Sequence, residues 1–289
     1  MKLINYFFIS IFILISFSIA SLLKPYDDQY ISYVHILFEW EQEPDAELYN
    51  IQVSTNSNFS NLSLDLDTPE ILYIFKDDAI NWSTRYYWRV RPIFSDNVYG
   101  DWIDSYSFRI RDNNTGNGGV QTNIIDNNAY YEGLTIMGDL SDDNRSIVFD
   151  KNGKEIWNDF NKNFIMNHIN EYGQISGCSF NNFPANTGAV INYDNEYLWR
   201  GPDDVYIDVH EVKSIPNGNY MGFVQEYQQG PIPIGDWTNL YRALGYEADG
   251  VTNEFPWYGQ AIVEWDENSN EVWRWNPFDH FSMDDFDIY

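Results

Sequence analysis

Three segments of the chain are near-copies of one another: Val148–Trp157 (VFDKNGKEIW), Val190–Trp199 (VINYDNEYLW) and Glu264–Trp273 (EWDENSNEVW). Each has an apolar strand start, an Asp-led polar turn, then Glu or a polar residue, an aliphatic residue and a closing Trp. His210–Tyr220 (HEVKSIPNGNY) reads as a further hairpin, around Asn217-Gly218. Trp157 and Trp199 stand 42 residues apart, inside the ~40–50-residue period of a β-propeller blade. A blade buries its faces only against neighbouring blades, so repetition predicts several sheets stacked around a hub. Counted this way, residues 124–289 hold about two and a half blades of an incomplete propeller.

Composition supports an all-β chain. Its 11 Trp and 22 Tyr in 289 residues suit pleated surfaces, where flat rings cover large areas. A formal net charge of −28 repels phosphate and anionic lipid, so nucleic acid is excluded as a partner. Acidic pairs such as Asp142-Asp143 lack the spacing of a calcium loop, so no metal site is assigned. Residues 1–20 have a positive start at Lys2, an apolar run over Tyr6–Ile19 and small residues at Ser18-Ile19-Ala20. That is the pattern of a signal peptide, with an uncleaved anchor as the alternative, and predicts export to the periplasm or beyond with no other membrane contact. Cys178, the one cysteine, has no partner in the chain for a disulfide.

Residues 31–111 alternate apolar and polar positions at Ile36–Trp40, Tyr49–Ser54, Tyr86–Ile93 and Ser105–Arg111, with breaks at Pro44-Asp45, 55–60 and Gly100. The pattern predicts a two-sheet β-sandwich. With Ser83-Thr84 leading into Tyr86-Tyr87-Trp88-Arg89-Val90-Arg91 and with Gly100-Asp101-Trp102, it resembles the fibronectin type III family. Such domains serve as spacers or docking surfaces. Residues 112–123 (DNNTGNGGVQTN) form a polar linker.

Beyond the linker, Asn152-Gly153 and Asn217-Gly218 predict two-residue type I′ hairpins, pairing Val148 with Trp157 and Phe149 with Ile156. The segment Gln228–Trp257 carries one helical signal: Asp236 as cap, Trp237, Leu240, Tyr241 and Leu244 at helical spacing, and Gly245 as terminator. A long aromatic insertion of this kind reads as a lid or pocket wall.

Four histidines are candidates for chemistry: His35, His168, His210 and His280. His35 lies in a sandwich strand. His168 and His210 both precede a hairpin, where an innermost blade strand begins and side chains reach the axial channel. His210 is the foremost site candidate, with His168 and His280 behind it. No Ser nucleophile elbow, zinc-protease motif, paired Cys motif or phosphate loop is found.

Residues from about Tyr130 onward resemble the bacterial arylsulfotransferase family. The carrying motifs are Glu132-Gly133-Leu134-Thr135-Ile136, the segment Val148–Trp157, Val209-His210-Glu211-Val212, Ile215–Tyr220, and Ile262-Val263-Glu264-Trp265 through Trp273-Arg274-Trp275-Asn276. The resemblance implies a six-bladed propeller that moves a sulfuryl group from an aryl sulfate to a phenol through a sulfohistidine, without a cofactor. His210 is then a sulfuryl-binding or acid–base histidine, although Val209-His210-Glu211 stands where the family often shows His-His-Asp. The histidine that becomes sulfated falls on a later blade, and no segment before Tyr289 matches it. The chain is therefore expected to be the N-terminal part of a longer product and to lack turnover alone. The alternative is a non-catalytic secreted module that binds glycans or proteins through its aromatic surface.

Overall fold

A computed structural model describes residues 20–113, 120–123, 126, 128–129, 133–139, 145–160, 162–180, 187–281 and 285. The apolar run Tyr6–Ile19 and Asp142-Asp143 lie outside them. The described chain is nearly all β and divides into two compact units, residues 1–30 with 35–110, and residues 31–34 with 111–289. Among the described residues no helix is long and apolar enough to cross a membrane.

The first unit contains β1 (Leu22–Lys24), β2 (Gln29–Ile31), β3 (Ile36–Trp40), β4 (Leu48–Ser54), β5 (Leu62–Thr68), β6 (Leu72–Phe75), β7 (Arg85–Phe94), β8 (Val98–Tyr99) and β9 (Asp104–Ile110). They form one sheet in the order β1-β3-β6 and a second in the order β2-β9-β7-β4-β5, with β8 on β7. Alternation along β3 and β7 sends Phe38, Trp40, Trp88 and Val90 inward to full burial. Phe38 meets Trp88 at 5.1 Å and Phe108 at 5.9 Å between ring centres, so the two sheets share one aromatic core. On the opposite face of β7, Arg89 lies over Phe59 and Trp102, and Arg91 over Tyr99 and Trp102. Their guanidinium stems thereby cover rings that alternation turns toward water.

The second unit is three antiparallel meanders. Sheet one is β10 (Thr135–Asp139), β11 (Arg145–Phe149) and β12 (Glu155–Asn158). Sheet two is β13 (Phe164–Ile169), β14 (Ile175–Ser179), β15 (Thr187–Ile191) and β16 (Tyr197–Arg200). Sheet three is β17 (Ile207–Ser214), β18 (Tyr220–Gly230), β19 (Phe255–Trp265) and β20 (Glu271–Trp275). The free edge of β12 is taken by residues 32–34: Val34 N–H donates to Ile156 O at 2.9 Å, and Asn158 N–H to Ser32 O at 3.0 Å. Sheet one thus gains a fourth lane from a segment more than a hundred residues upstream.

Consecutive sheets pack face to face. Sheet two meets sheet three through Cys178, Val190 and Trp199 against Ile207, Val212, Ala261, Val263 and Trp265, all buried. Trp199 stacks on Tyr220 with ring centres 4.1 Å apart. Between sheets one and two the Ser146 hydroxyl donates to Phe164 O at 2.7 Å and accepts Met166 N–H at 2.9 Å. Gly138 and Gly177 stand where a Cβ would run into β13.

The two Asn-Gly turns are not two-residue type I′ turns. Asp150 N–H donates to Lys154 O and Gly153 N–H to Asp150 O, with the same pattern from Ile215 to Asn219. Gly153 (φ +80) and Gly218 (φ +89) have positive φ, whereas Asn152 and Asn217 do not. These are type I turns closed by a glycine bulge, so one extra residue enters each hairpin. Val148 accordingly pairs with Trp157, but Phe149 faces Glu155 rather than Ile156.

The helix α1 (Thr238–Ala243) exists but starts later and turns differently than its spacing predicts. Asp236 does not cap it; the Thr238 hydroxyl instead accepts Gly235 N–H at 2.8 Å. Tyr241 packs edge-on against Phe255 and Tyr246, while Leu240 and Leu244 point to solvent. Gly245 (φ +99) ends the helix as predicted.

Candidate functional site

The first strand of sheet three, β17, is irregular where His210 sits. β17 pairs Ile207 with Val224 and Val212 with Gly222, and the register shifts between those two pairs. Residues 208–211 stand opposite Phe223 alone, so this stretch forms a bulge in the ladder. Side chains brace it. Asn167, on β13 of sheet two, donates from Nδ2 to Val209 O at 2.7 Å and accepts Val212 N–H at Oδ1 at 3.0 Å. Asp208 Oδ1 accepts His210 N–H at 2.9 Å.

The same carboxylate oxygen lies 2.7 Å from His210 Nδ1. Its other oxygen accepts Gln260 Nε2–H at 3.3 Å. Asp208 is largely covered, whereas the His210 side chain is 74% exposed. In neutral imidazole this contact holds the proton on Nδ1 and leaves the Nε2 lone pair facing water. Such a group is equipped to accept a proton or to meet an electrophilic sulfuryl or phosphoryl centre. Once protonated it becomes a cation anchored to a carboxylate, which binds an anion at Nε2–H.

Cys178 approaches the same bulge, its Sγ 3.4 Å from Asp208 O. Burial, reinforced by the Asp208 charge, pushes the thiol up to about 12. It is a packing group and not a nucleophile.

His168 occupies the first strand of sheet two, β13, opposite Ser176 at another register shift. It lines a cleft of about 700 Å³ between the hairpin 169–174 and residues 214–220. Glu171, Tyr172 and Gln174 share one wall, and Pro216 and Tyr220 the other. Asn167, its neighbour in sequence, links this strand to the His210 bulge. His280 lies elsewhere, stacked in parallel on Trp275 at 5.1 Å beside the short turn Pro277–Asp279. No hydrogen bond or ring contact among the described residues joins it to the other two. His35 belongs to the first unit, just ahead of β3.

Asp208, Asn167 and Gln260 escaped the sequence reading. The Asp-x-His spacing of Asp208 and His210 was the available signal, because an Asp side chain readily caps the N–H two residues on. Among the described residues no group of three or more His, Cys, Asp or Glu is arranged to hold a metal. No protein-family model matches the chain, and no curated protein matches its sequence.

Proposed function

We propose that this chain is an exported protein of the bacterial arylsulfotransferase kind, a fibronectin type III-like sandwich followed by a sector of a β-propeller, in which His210 binds a sulfuryl group. The observation that carries the reading is the Asp208–His210 pair, 2.7 Å apart on the bulge of β17, with the imidazole largely exposed to solvent. Stacked Trp-closed meanders and the motifs around His210 and Ile215–Tyr220 support it. In the reaction, the S–O bond of an aryl sulfate breaks as a histidine nitrogen bonds to sulfur, and the phenolate leaves with a proton. The phenol acceptor then reverses these steps. A chain carrying −28 repels anionic substrate, so local imidazolium groups are needed to hold it. The residues matched here supply a binding histidine and not the nucleophile, so residues 1–289 bind without transferring.

The test is to follow histidine resonances while p-nitrophenyl sulfate is added. Saturable shifts at His210, lost in His210→Ala, with no nitrophenolate released, are expected. An unmoved His210 resonance sinks the binding role, and released nitrophenolate with a sulfated phenol sinks the absence of turnover.

The second reading, a secreted module binding glycans, is favoured by the cleft at His168. Tyr172 at its wall is 79% exposed and beside Glu171 and Gln174, a ring-plus-polar lining that suits a sugar face. Oligosaccharide binding abolished by Tyr172→Ala and indifferent to His210→Ala separates it from the first.

A further inference from the structure

The strand β6 closes one side of the sheet β1-β3-β6, with β3 beside it and no further strand beyond it among the described residues. Its register sets Ile36 opposite Phe75, Leu37 opposite Ile74, Phe38 opposite Tyr73 and Glu39 opposite Leu72. Trp40 N–H donates to Ile71 O at 3.1 Å, so residues 40 and 71 are a pair that bonds through the backbone. Antiparallel pairs alternate between bonded and non-bonded. Tyr73 and Phe75 therefore bond to β3, whereas Leu72 and Ile74 turn their N–H and C=O groups toward the open edge. Alternation also gives Leu72 and Ile74 the outer face, where their side chains are 48% and 47% exposed.

An apolar edge is ordinarily guarded by flanking charge that repels a second strand. Here the guards complement one another. Residues 70–76 read Glu-Ile-Leu-Tyr-Ile-Phe-Lys, with Glu70 and Lys76 at mirrored places around Tyr73. Laid antiparallel about a two-fold axis at Tyr73, two such strands set Leu72 opposite the partner's Ile74, both with free backbone groups facing the gap. Tyr73 then meets the partner's Tyr73 as a non-bonded pair, as alternation requires, and Glu70 comes toward the partner's Lys76. Slipping the register by two residues sets Ile74 against the partner's Glu70, or Leu72 against the partner's Lys76, and leaves the charges unmatched. Only the register centred on Tyr73 satisfies backbone, apolar side chains and charge together.

We propose that β6 pairs antiparallel with β6 of a second copy of this chain, in the register centred on Tyr73. The two three-stranded sheets become one continuous sheet, β1-β3-β6 running on into the same order reversed. Because each copy offers the same strand, the contact is isologous and closes on itself. Each Leu72–Ile74 pair exchanges two backbone bonds, and the two apolar side chains become cross-strand neighbours on the outer face. So short a seam makes a weak, concentration-dependent dimer and not an obligate one. Long-range repulsion between copies that each carry −28 opposes it further. The pairing is independent of the sulfuryl reading.

Sedimentation velocity of the full chain from low micromolar to near-millimolar concentration tests it. A species of twice the 34.0 kDa chain mass should grow in with concentration. Ile74→Pro removes an edge-facing N–H without taking a bond from β3. It should weaken the dimer about tenfold or more with unchanged circular dichroism. Glu70→Lys and Lys76→Glu, both at exposed side chains, should each weaken it by setting like charges together across the axis. Their equimolar mixture matches the charges at both ends and should recover a mixed dimer stronger than either variant forms alone. A monomer at every concentration overturns the proposal, and protection of the Leu72 and Ile74 amides from hydrogen exchange in that monomer would assign the edge to another segment of the chain. A dimer indifferent to Ile74→Pro also overturns it, because the contact then lies on another surface. So does a mixture that fails to recover, which excludes the register centred on Tyr73.

Discussion

The hydroxyl of Tyr33 donates to Oδ1 of Asp194 at 2.7 Å, joining residues 161 apart in sequence. Tyr33 belongs to the lane that completes sheet one, and Asp194 to the turn of sheet two that also receives the Trp157 indole. One turn is therefore held twice, and the upstream lane is tied to the meander it serves. Burial first, then the Asp194 charge, holds the Tyr33 phenol un-ionised far above its ordinary range.

Tyr33→Phe removes this charge-assisted bond and keeps the ring edge-on to Tyr193. A loss of about 1–2 kcal/mol is expected, read from urea unfolding. Tyr172→Phe, a change on a side chain that stands largely in solvent, serves as the control and should cost far less.

The tryptophans should differ by position and not by kind. Trp199→Phe loses the bond to Asp266 O and part of the stack on Tyr220, and should cost about 2–3 kcal/mol. Trp157→Phe should behave alike. Trp273→Phe, at an exposed ring, should lie within about 0.5 kcal/mol of the parent. Thermal or urea melts of the three variants provide the comparison.

The two Asn-Gly glycines separate strain from collision. At Gly218 a Cβ meets nothing within 4 Å, so Gly218→Ala bears only the left-handed backbone, about 1 kcal/mol. At Gly153 a Cβ would lie 1.7 Å from Val120 O. Gly153→Ala must also displace residues 120–122, and its melting point should fall clearly further.

Asp159 sets a pH dependence. The residue is fully buried and accepts Phe164 N–H at 3.0 Å. Burial, only partly offset by such backbone N–H bonds, pushes its carboxyl from 3.8 up to about 6. A pKa raised on folding contributes stability that is complete below the unfolded value and is lost as pH rises through the folded one. Relative to Asp159→Asn, the parent should lose about 2–3 kcal/mol between pH ~4 and ~7. Urea midpoints across that range should be flatter for the variant; parallel curves would show that Asp159 does not titrate there.

The stacked meanders could be read in the sequence because each carries its own signal, an Asx-led turn followed by a closing Trp. Alternation likewise marked Trp40, Trp88 and Val90 as core. The lane at 32–34 was hidden because its partner, β12, lies far downstream and leaves no local period. Strands β1 and β2 were too short to alternate. The glycine-bulge turns were missed since Asn-Gly fits either turn, and only φ at Asn152 and Asn217 separates the two. At the site, His210 was visible as a residue type in a motif. The reach of Asn167 from sheet two to Val209 and Val212 depends on packing between sheets and has no counterpart in spacing.

The claim on which the functional reading rests is that Asp208 fixes the His210 ring with Nε2 outward. The ¹⁵N spectrum of the histidine side chains, taken where imidazole is neutral, addresses it directly. The account predicts His210 as the Nδ1–H tautomer, relaxing toward the ordinary Nε2–H form in Asp208→Ala. A His210 already in the Nε2–H form in the parent protein would contradict it.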